Sequence, residues 1–159
     1  MPTKLRTAIE LLICIAICFL PAVVGGRFMP GAWYASLAKP ALNPPGWVFG
    51  PVWTVLYALM GIALFLIWQR RSAPGWALAI TVFAIQLVLN AAWSWLFFGL
   101  RRPDLAFAEI CVLWVFIVLS IVAFWRLRPL AGALLLPYAA WVAFAAWLNV
   151  QLWRLNPPA

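Results

Sequence analysis

The sequence predicts an all-α polytopic membrane protein, a bundle of five transmembrane helices with a structured loop between the first and second. Three observations carry that expectation. Apolar residues make up 68% of the 159-residue chain, against the ~45–50% usual in soluble domains. Charged residues make up only 9%, too few to cover a water-facing exterior. Five stretches approach or exceed the ~20 apolar residues that a spanning helix needs. The same figures exclude a soluble enzyme, a disordered tail and a nucleic-acid-binding module.

The first stretch covers residues 8–24. Lys4 and Arg6 precede it as in a signal peptide, but Glu10 interrupts the leading region and no A-x-A site follows; a retained helix is expected. The second, third, fourth and fifth cover 47–68, 76–98, 105–125 and 130–153, and their short links make neighbours antiparallel. The whole chain, 1–159, reads as one five-helix domain. The only long link, 25–46, is rich in Gly and Pro. Its Lys39-Pro40 and Asn43-Pro44-Pro45 steps cannot be ordinary helix, because proline lacks the amide donor and restrains the residue before it. Such a backbone cannot lie in lipid and must cap the bundle end or sit in water. Residues 33–37 are expected to form one helical turn.

The formal charge is +8, from eleven Lys and Arg against three acids. The cations fall in short groups between apolar stretches, the pattern of head-group anchors. Lys4, Arg6, Arg70, Arg71, Arg126 and Arg128 share one side; Arg27, Lys39, Arg101, Arg102 and Arg154 share the other. Six against five leaves orientation open under the positive-inside rule. Asp104 is expected to cap the fourth helix. Cys14, Cys18 and Cys111 lie in apolar runs and read as packing, not as a disulfide framework or metal site. Histidine is absent, which removes the usual haem ligand and general base. No metal site is expected.

Six of the twelve tryptophans, Trp33, Trp47, Trp68, Trp76, Trp125 and Trp153, fall at helix ends or in the loop, where an interfacial belt accounts for them. Trp53, Trp93, Trp95, Trp114, Trp141 and Trp147 lie deeper. On the third helix Gln86, Asn90, Trp93, Ser94 and Phe97 share one face. Membrane amides are costly unless they turn inward and find partners, so they read either as interhelical hydrogen bonding or as neutral contacts for a ligand. The second helix presents Trp53, Tyr57 and Gly61 at i, i+4 and i+8; the fifth presents Trp141, Ala145, Leu148 or Asn149, and Leu152. Trp53 lies ~9 Å below its helix end at 1.5 Å per residue, and Trp93 at similar depth. Large rings beside small residues either leave a flat-walled cavity open toward the long loop or interlock as core. Glu109 is the one acid expected within a span, an intramembrane candidate by default, with no buried basic partner in the sequence.

The residues Trp33-Tyr34-Ala35-Ser36-Leu37-Ala38-Lys39-Pro40, then Asn43-Pro44-Pro45-Gly46-Trp47-Val48-Phe49-Gly50-Pro51-Val52-Trp53, strongly resemble the translocator protein family, also called tryptophan-rich sensory proteins (TspO) or peripheral benzodiazepine receptors. The similarity continues at Leu56-Tyr57, Met60-Gly61, Gln86-Leu87, Leu89-Asn90, Trp93, Phe97-Phe98-Gly99, Pro137-Tyr138, Trp141 and Leu148-Asn149, in order over nearly the whole chain. The resemblance implies a five-helix, usually dimeric receptor or carrier in a bacterial cell envelope membrane. It implies a pocket beneath the first loop for porphyrins, protoporphyrin IX above all and haem, and for isoquinoline carboxamides and other hydrophobic polycyclic ligands, with no cofactor required. By position, Trp53, Asn90, Trp93 and Trp141 match pocket residues, with Ala145 on the same wall. Trp53 and Trp141 also match the tryptophans linked to light-dependent porphyrin breakdown, the only catalytic candidates. Two departures stand out. Leu42 occupies a position where a loop Trp is common, and Val150 and Gln151 leave the sterol motif of the fifth helix incomplete.

The ligand-binding set expected is Trp53, Tyr57, Gln86, Asn90, Trp93, Ser94, Phe97, Trp141, Ala145, Leu148 and Asn149. The lid and mouth are Arg27, Trp33, Tyr34, Lys39, Arg101, Arg102 and Arg154, whose cations suit porphyrin propionates. Without histidine, metal-free protoporphyrin fits better than tightly ligated haem. The alternatives are light- and oxygen-dependent porphyrin degradation at Trp53 and Trp141, and a structural assembly protein whose tryptophans merely pack. Small residues such as Ala139 and Ala143 are candidates for a homodimer contact.

Overall fold

A computed structural model describes residues 3–157. It contains α1 (Thr3–Gly25), α2 (Ala32–Ser36), α3 (Gly46–Trp68), α4 (Trp76–Ser94), α5 (Pro103–Leu127), α6 (Pro129–Ala133) and α7 (Leu136–Leu155). Five segments are long and apolar enough to cross a membrane: α1, α3, α4 with the turn that extends it, α5, and α6 with α7. Among the described residues there is no strand. Helices keep most backbone hydrogen bonds within their own segment, as lipid requires.

The helices form a ring. α1 packs against α3 and α4, α4 against α5, and α5 against α6 and α7. α3 packs against α6, which closes the ring; α3 and α7 share no comparable backbone packing, and aromatic side chains span the interval between them. α1 and α3 approach each other closely. A Cβ on Gly61 would stand 2.6 Å from the Ile15 Cα, so the helices meet there because one residue has no side chain. Cys14 and Cys18 are buried on the same face of α1 and remain free thiols, and Phe19 reaches the Tyr57 ring at 5.4 Å.

The element boundaries differ from the sequence expectation in three places. The third span does not run on as α-helix to residue 98: from Trp95 to Gly99 it widens into a π turn, with the Leu100 amide bonded to the Trp95 carbonyl at 2.8 Å. Arg101, at φ 55°, then reverses the chain. The fifth span is split, since Pro137 has no amide to donate backwards and the chain turns at Leu134–Leu135 between α6 and α7. Asp104 does not take the N-cap of α5. Arg102 holds that position, and Asp104 lies in the first turn with both carboxylate oxygens on the Arg102 guanidinium, at 2.8 and 2.6 Å. The single turn expected at 33–37 is α2.

Gly61→Ala should force α1 and α3 apart and lower stability by about 1–3 kcal/mol, read as a fall in the thermal midpoint in detergent. Gly50→Ala, where a Cβ would meet nothing within 4 Å, should leave it near the parent value.

Candidate functional site

Neutral polar groups join three helices in the bundle interior. The Tyr57 hydroxyl on α3 donates to Asn90 Oδ1 on α4 at 2.8 Å. Asn90 Nδ2 donates to the Tyr138 hydroxyl on α7 at 3.0 Å. Tyr138 in turn donates to Gln86 Oε1 at 2.9 Å. All four residues are buried. Gln86 and Asn90 sit one helical turn apart, so a single face of α4 reaches both tyrosines. The chain is incomplete: Gln86 Nε2 has no acceptor, nor does the enclosed Trp141 Nε1. A buried donor left this way costs about 1–3 kcal/mol.

Aromatic rings flank these groups across the interval between α3 and α7. Trp53 stacks on Tyr57 at 5.2 Å and meets Tyr138 edge-on at 6.2 Å. Trp141 meets Phe49 at 5.9 Å and Phe144 at 5.6 Å. Ala145 is half-buried beside them and Leu148 is buried. Nearer the loop, Trp93 stacks on Phe97 at 5.0 Å, and its indole N–H donates to Asn149 Oδ1 at 3.0 Å. Asn149 Nδ2 donates to the Pro103 carbonyl at 2.7 Å, which ties α4, α7 and the start of α5 together.

The loop is seated on this upper layer. Trp33 and Tyr34 meet Phe97 edge-on, and Tyr34 also meets Phe98. The Tyr34 hydroxyl donates to Asn43 Oδ1 at 3.2 Å; burial raises this phenol above its ordinary range, with the hydrogen bond acting in the opposite sense. Asn156, just past α7, accepts from the Ala38 amide at 2.9 Å and donates to the Ala38 carbonyl at 3.0 Å, so the end of the last helix clamps the loop. Lys39 lies 5.0 Å from the Tyr34 ring centre and donates to the Ala35 and Leu37 carbonyls. Arg27, Arg101 and Arg154 are exposed.

Of the six deep tryptophans, Trp53, Trp93 and Trp141 are half-buried and turn inward. Trp95, Trp114 and Trp147 are exposed on the outer surface. Trp114 and Trp147 line a groove of about 470 Å³ between α5 and α7. Ser94 stands apart from the polar chain: its Oγ lies 3.1 Å from the position of a Gly25 Cβ, at the contact between α4 and α1. Glu109 is half-buried, with both carboxyl oxygens enclosed and without a hydrogen-bond partner. Glu10 also falls within a span, on α1, paired with Arg6 at 3.1 Å. Sequence reasoning left Tyr138, the hub of the polar chain, and Asn156, the clamp, out of the site. For Tyr138 a signal existed, since it lies three residues before Trp141 on the helix that also carries Asn149.

The architecture defines a five-span integral membrane protein whose interior holds a tryptophan-lined network of neutral hydrogen-bonding side chains beneath an ordered loop. The chain belongs to the TspO/MBR family, which it matches over residues 11–154. It is 41% identical to the tryptophan-rich protein TspO of Chlorobaculum tepidum, over 96% of this chain and 99% of that protein. It is 41% identical to the tryptophan-rich sensory protein of Cereibacter sphaeroides, over 89% and 88%, and 39% identical to the human translocator protein, over 86% and 84%.

Asn90→Leu should strand the Tyr57 hydroxyl, leave Tyr138 bonded only to Gln86, and cost about 1–3 kcal/mol. In a double-mutant cycle with Tyr57→Phe, the combined loss measured by thermal unfolding should be smaller than the sum of the two single losses.

Proposed function

We propose that the protein is a receptor or carrier that binds porphyrins, metal-free protoporphyrin IX foremost, between the tryptophan walls beneath the loop, with a role in tetrapyrrole sensing or transport. The observation that carries this reading is the inward turn of Trp53, Trp93 and Trp141 around enclosed polar groups that include two donors without acceptors. A flat macrocycle suits aromatic walls, and its nitrogens, or a carbonyl on another ligand, supply acceptors that the chain itself does not. Isoquinoline carboxamides fit the same description. Because α3 and α7 meet through rings and not through close backbone, Trp53 and Trp141 can part around a planar guest at little cost to the helix packing. The names of the relatives, sensory protein and translocator protein, agree with a receptor or carrier.

Homodimerisation belongs to the same reading. Ala143 is exposed on α7 and open to a neighbouring helix, whereas Ala139 is half-buried with its carbonyl accepting from the Trp114 indole at 3.1 Å. The positions of Trp53 and Trp141 on the two sides of one interval also favour a second reading, light-driven oxidation of the bound porphyrin by dioxygen. Illumination in air should then give a discrete absorbing product that Trp53→Phe or Trp141→Phe abolishes; generic bleaching counts against it.

Protoporphyrin IX should quench the intrinsic tryptophan fluorescence of the detergent-solubilised protein saturably and raise its melting temperature. Trp53→Phe and Trp141→Phe should each weaken binding about three- to tenfold. Quenching that never saturates, with no thermal shift, overturns the reading and favours tryptophans that only pack.

A further inference from the structure

The end of the bundle remote from the loop carries Lys4, Arg6, Arg70, Arg71, Arg126 and Arg128 against one acid, Glu10. Arg6 is paired with Glu10, and Arg128 donates to Gln69 Oε1 at 3.2 Å. Lys4, Arg70, Arg71 and Arg126 are exposed and, among the described residues, make no ion pair.

The link between α3 and α4 fixes two of these cations beside a pair of indoles. Successive turns close it: the Arg71 amide bonds the Trp68 carbonyl at 3.3 Å, the Ala73 amide the Arg70 carbonyl at 2.8 Å, and the Trp76 amide the Ala73 carbonyl at 3.2 Å. Gly75, at φ 87°, makes the last of these turns in a conformation that a Cβ would strain. Trp76 meets Trp68 edge-on at 5.7 Å, and the Arg71 guanidinium stands over the Trp68 ring at 5.9 Å. Its one hydrogen bond, to the Trp68 carbonyl, is long at 3.5 Å, so most of the guanidinium fork is unused.

Two further features adjoin the same ring. Trp76 Nε1 is enclosed and has no acceptor. An interfacial belt accounts for the two indoles, but not for a donor shut away from water. Trp68 is 37% exposed and walls a cleft of about 110 Å³ between α1 and α3, with Glu10, Ile13 and Cys14 on the other side. The Glu10 carboxylate is turned to Arg6, so the cleft surface is apolar. Trp68 thus adjoins a cation at the membrane edge, an unsatisfied donor, and an apolar slot deeper along α1. A glycerophospholipid offers the complementary series: phosphate, ester carbonyl, acyl chain.

We propose that this corner binds one anionic glycerophospholipid. Arg70 and Arg71 hold the phosphate, Trp76 Nε1 bonds an ester carbonyl once the Trp68 ring swings outward, and one acyl chain lies in the α1–α3 cleft. Charge selects the lipid class. Six cations against one acid leave an excess that a phosphatidylglycerol headgroup offsets and a phosphatidylcholine headgroup, carrying its own cation, does not. The guanidinium fork matches a phosphodiester in paired hydrogen bonds, and the indole beneath it keeps the fork in place. The site lies at the opposite end from the loop and does not depend on what the tryptophan walls bind.

The test titrates the full chain in an uncharged maltoside detergent with dioleoylphosphatidylglycerol, dioleoylphosphatidylcholine or inorganic phosphate. Native mass spectrometry should show one phosphatidylglycerol retained per chain, about tenfold tighter than phosphatidylcholine, and that lipid alone should raise the melting temperature. R71Q should lose most of the preference and R71K should recover part of it, both with the parent melting temperature in lipid-free detergent and the parent response to protoporphyrin IX. W76F should keep or raise the lipid-free melting temperature, since it deletes an unsatisfied donor, yet weaken retention of phosphatidylglycerol. Equal retention of the two lipids, an undiminished preference in R71Q, or unweakened retention by W76F overturns the site. A thermal shift from inorganic phosphate equal to that from phosphatidylglycerol overturns the lipid as its occupant.

Discussion

Within a bilayer, a buried polar side chain has no water to fall back on, and the interior of this bundle is organised around that constraint. Tyr57, Asn90, Tyr138 and Gln86 satisfy one another in sequence across α3, α4 and α7. Each bond fixes the rotation of a helix about its own axis, because a hydroxyl or amide turned by a quarter revolution would face hydrocarbon. Dispersion contacts are less demanding, since apolar side chains meet lipid tails as readily as one another. The polar chain therefore decides which tryptophans face inward, and the aromatic walls inherit their geometry from it.

Two kinds of contact then divide the ring of helices. Where α1 meets α3, a glycine allows backbone against backbone, and a one-carbon addition would collide with Ile15. Where α3 faces α7, Phe49, Trp53, Tyr138 and Trp141 span the interval through their rings. Rings can pivot about χ1 and χ2 without moving a helix, whereas a close backbone contact cannot relax in that way. The bundle thus has close backbone contact where α1 meets α3 and ring-mediated contact where α3 faces α7, and the latter holds the indole pair. The loop, clamped by Asn156 and seated on Phe97 and Phe98, covers the end of both.

The five spans were legible because lipid imposes a length and a composition that few other environments demand. Gln86 and Asn90 were legible as inward-facing, since an amide amid apolar residues has one economical direction. The deep tryptophans were not separable by depth alone. Trp114 and Trp53 are both well inside their helices, yet one is exposed on the outer surface and the other joins the core. Apolar residues surround every face of these helices, so no amphipathic stripe marks the interior. The π turn and the break before α7 depend on tertiary fit and left little local trace beyond Pro137, whereas the Arg102–Asp104 pairing is local and draws Asp104 away from a capping role. Asn156 lay outside any periodic segment, and its partner is a backbone group 118 residues away.

That separation has a consequence for how the molecule is made. The segment that roofs the bundle leaves the ribosome after the first span, while the amide side chain that fastens it follows the last one. Until α7 has entered the bilayer, Ala38 has no Asn156 to hold it, and the aromatic layer below lacks Leu152. Fastening of the roof by Asn156 is therefore a terminal event in biogenesis, and a nascent chain halted before its fifth span would lack the clamp.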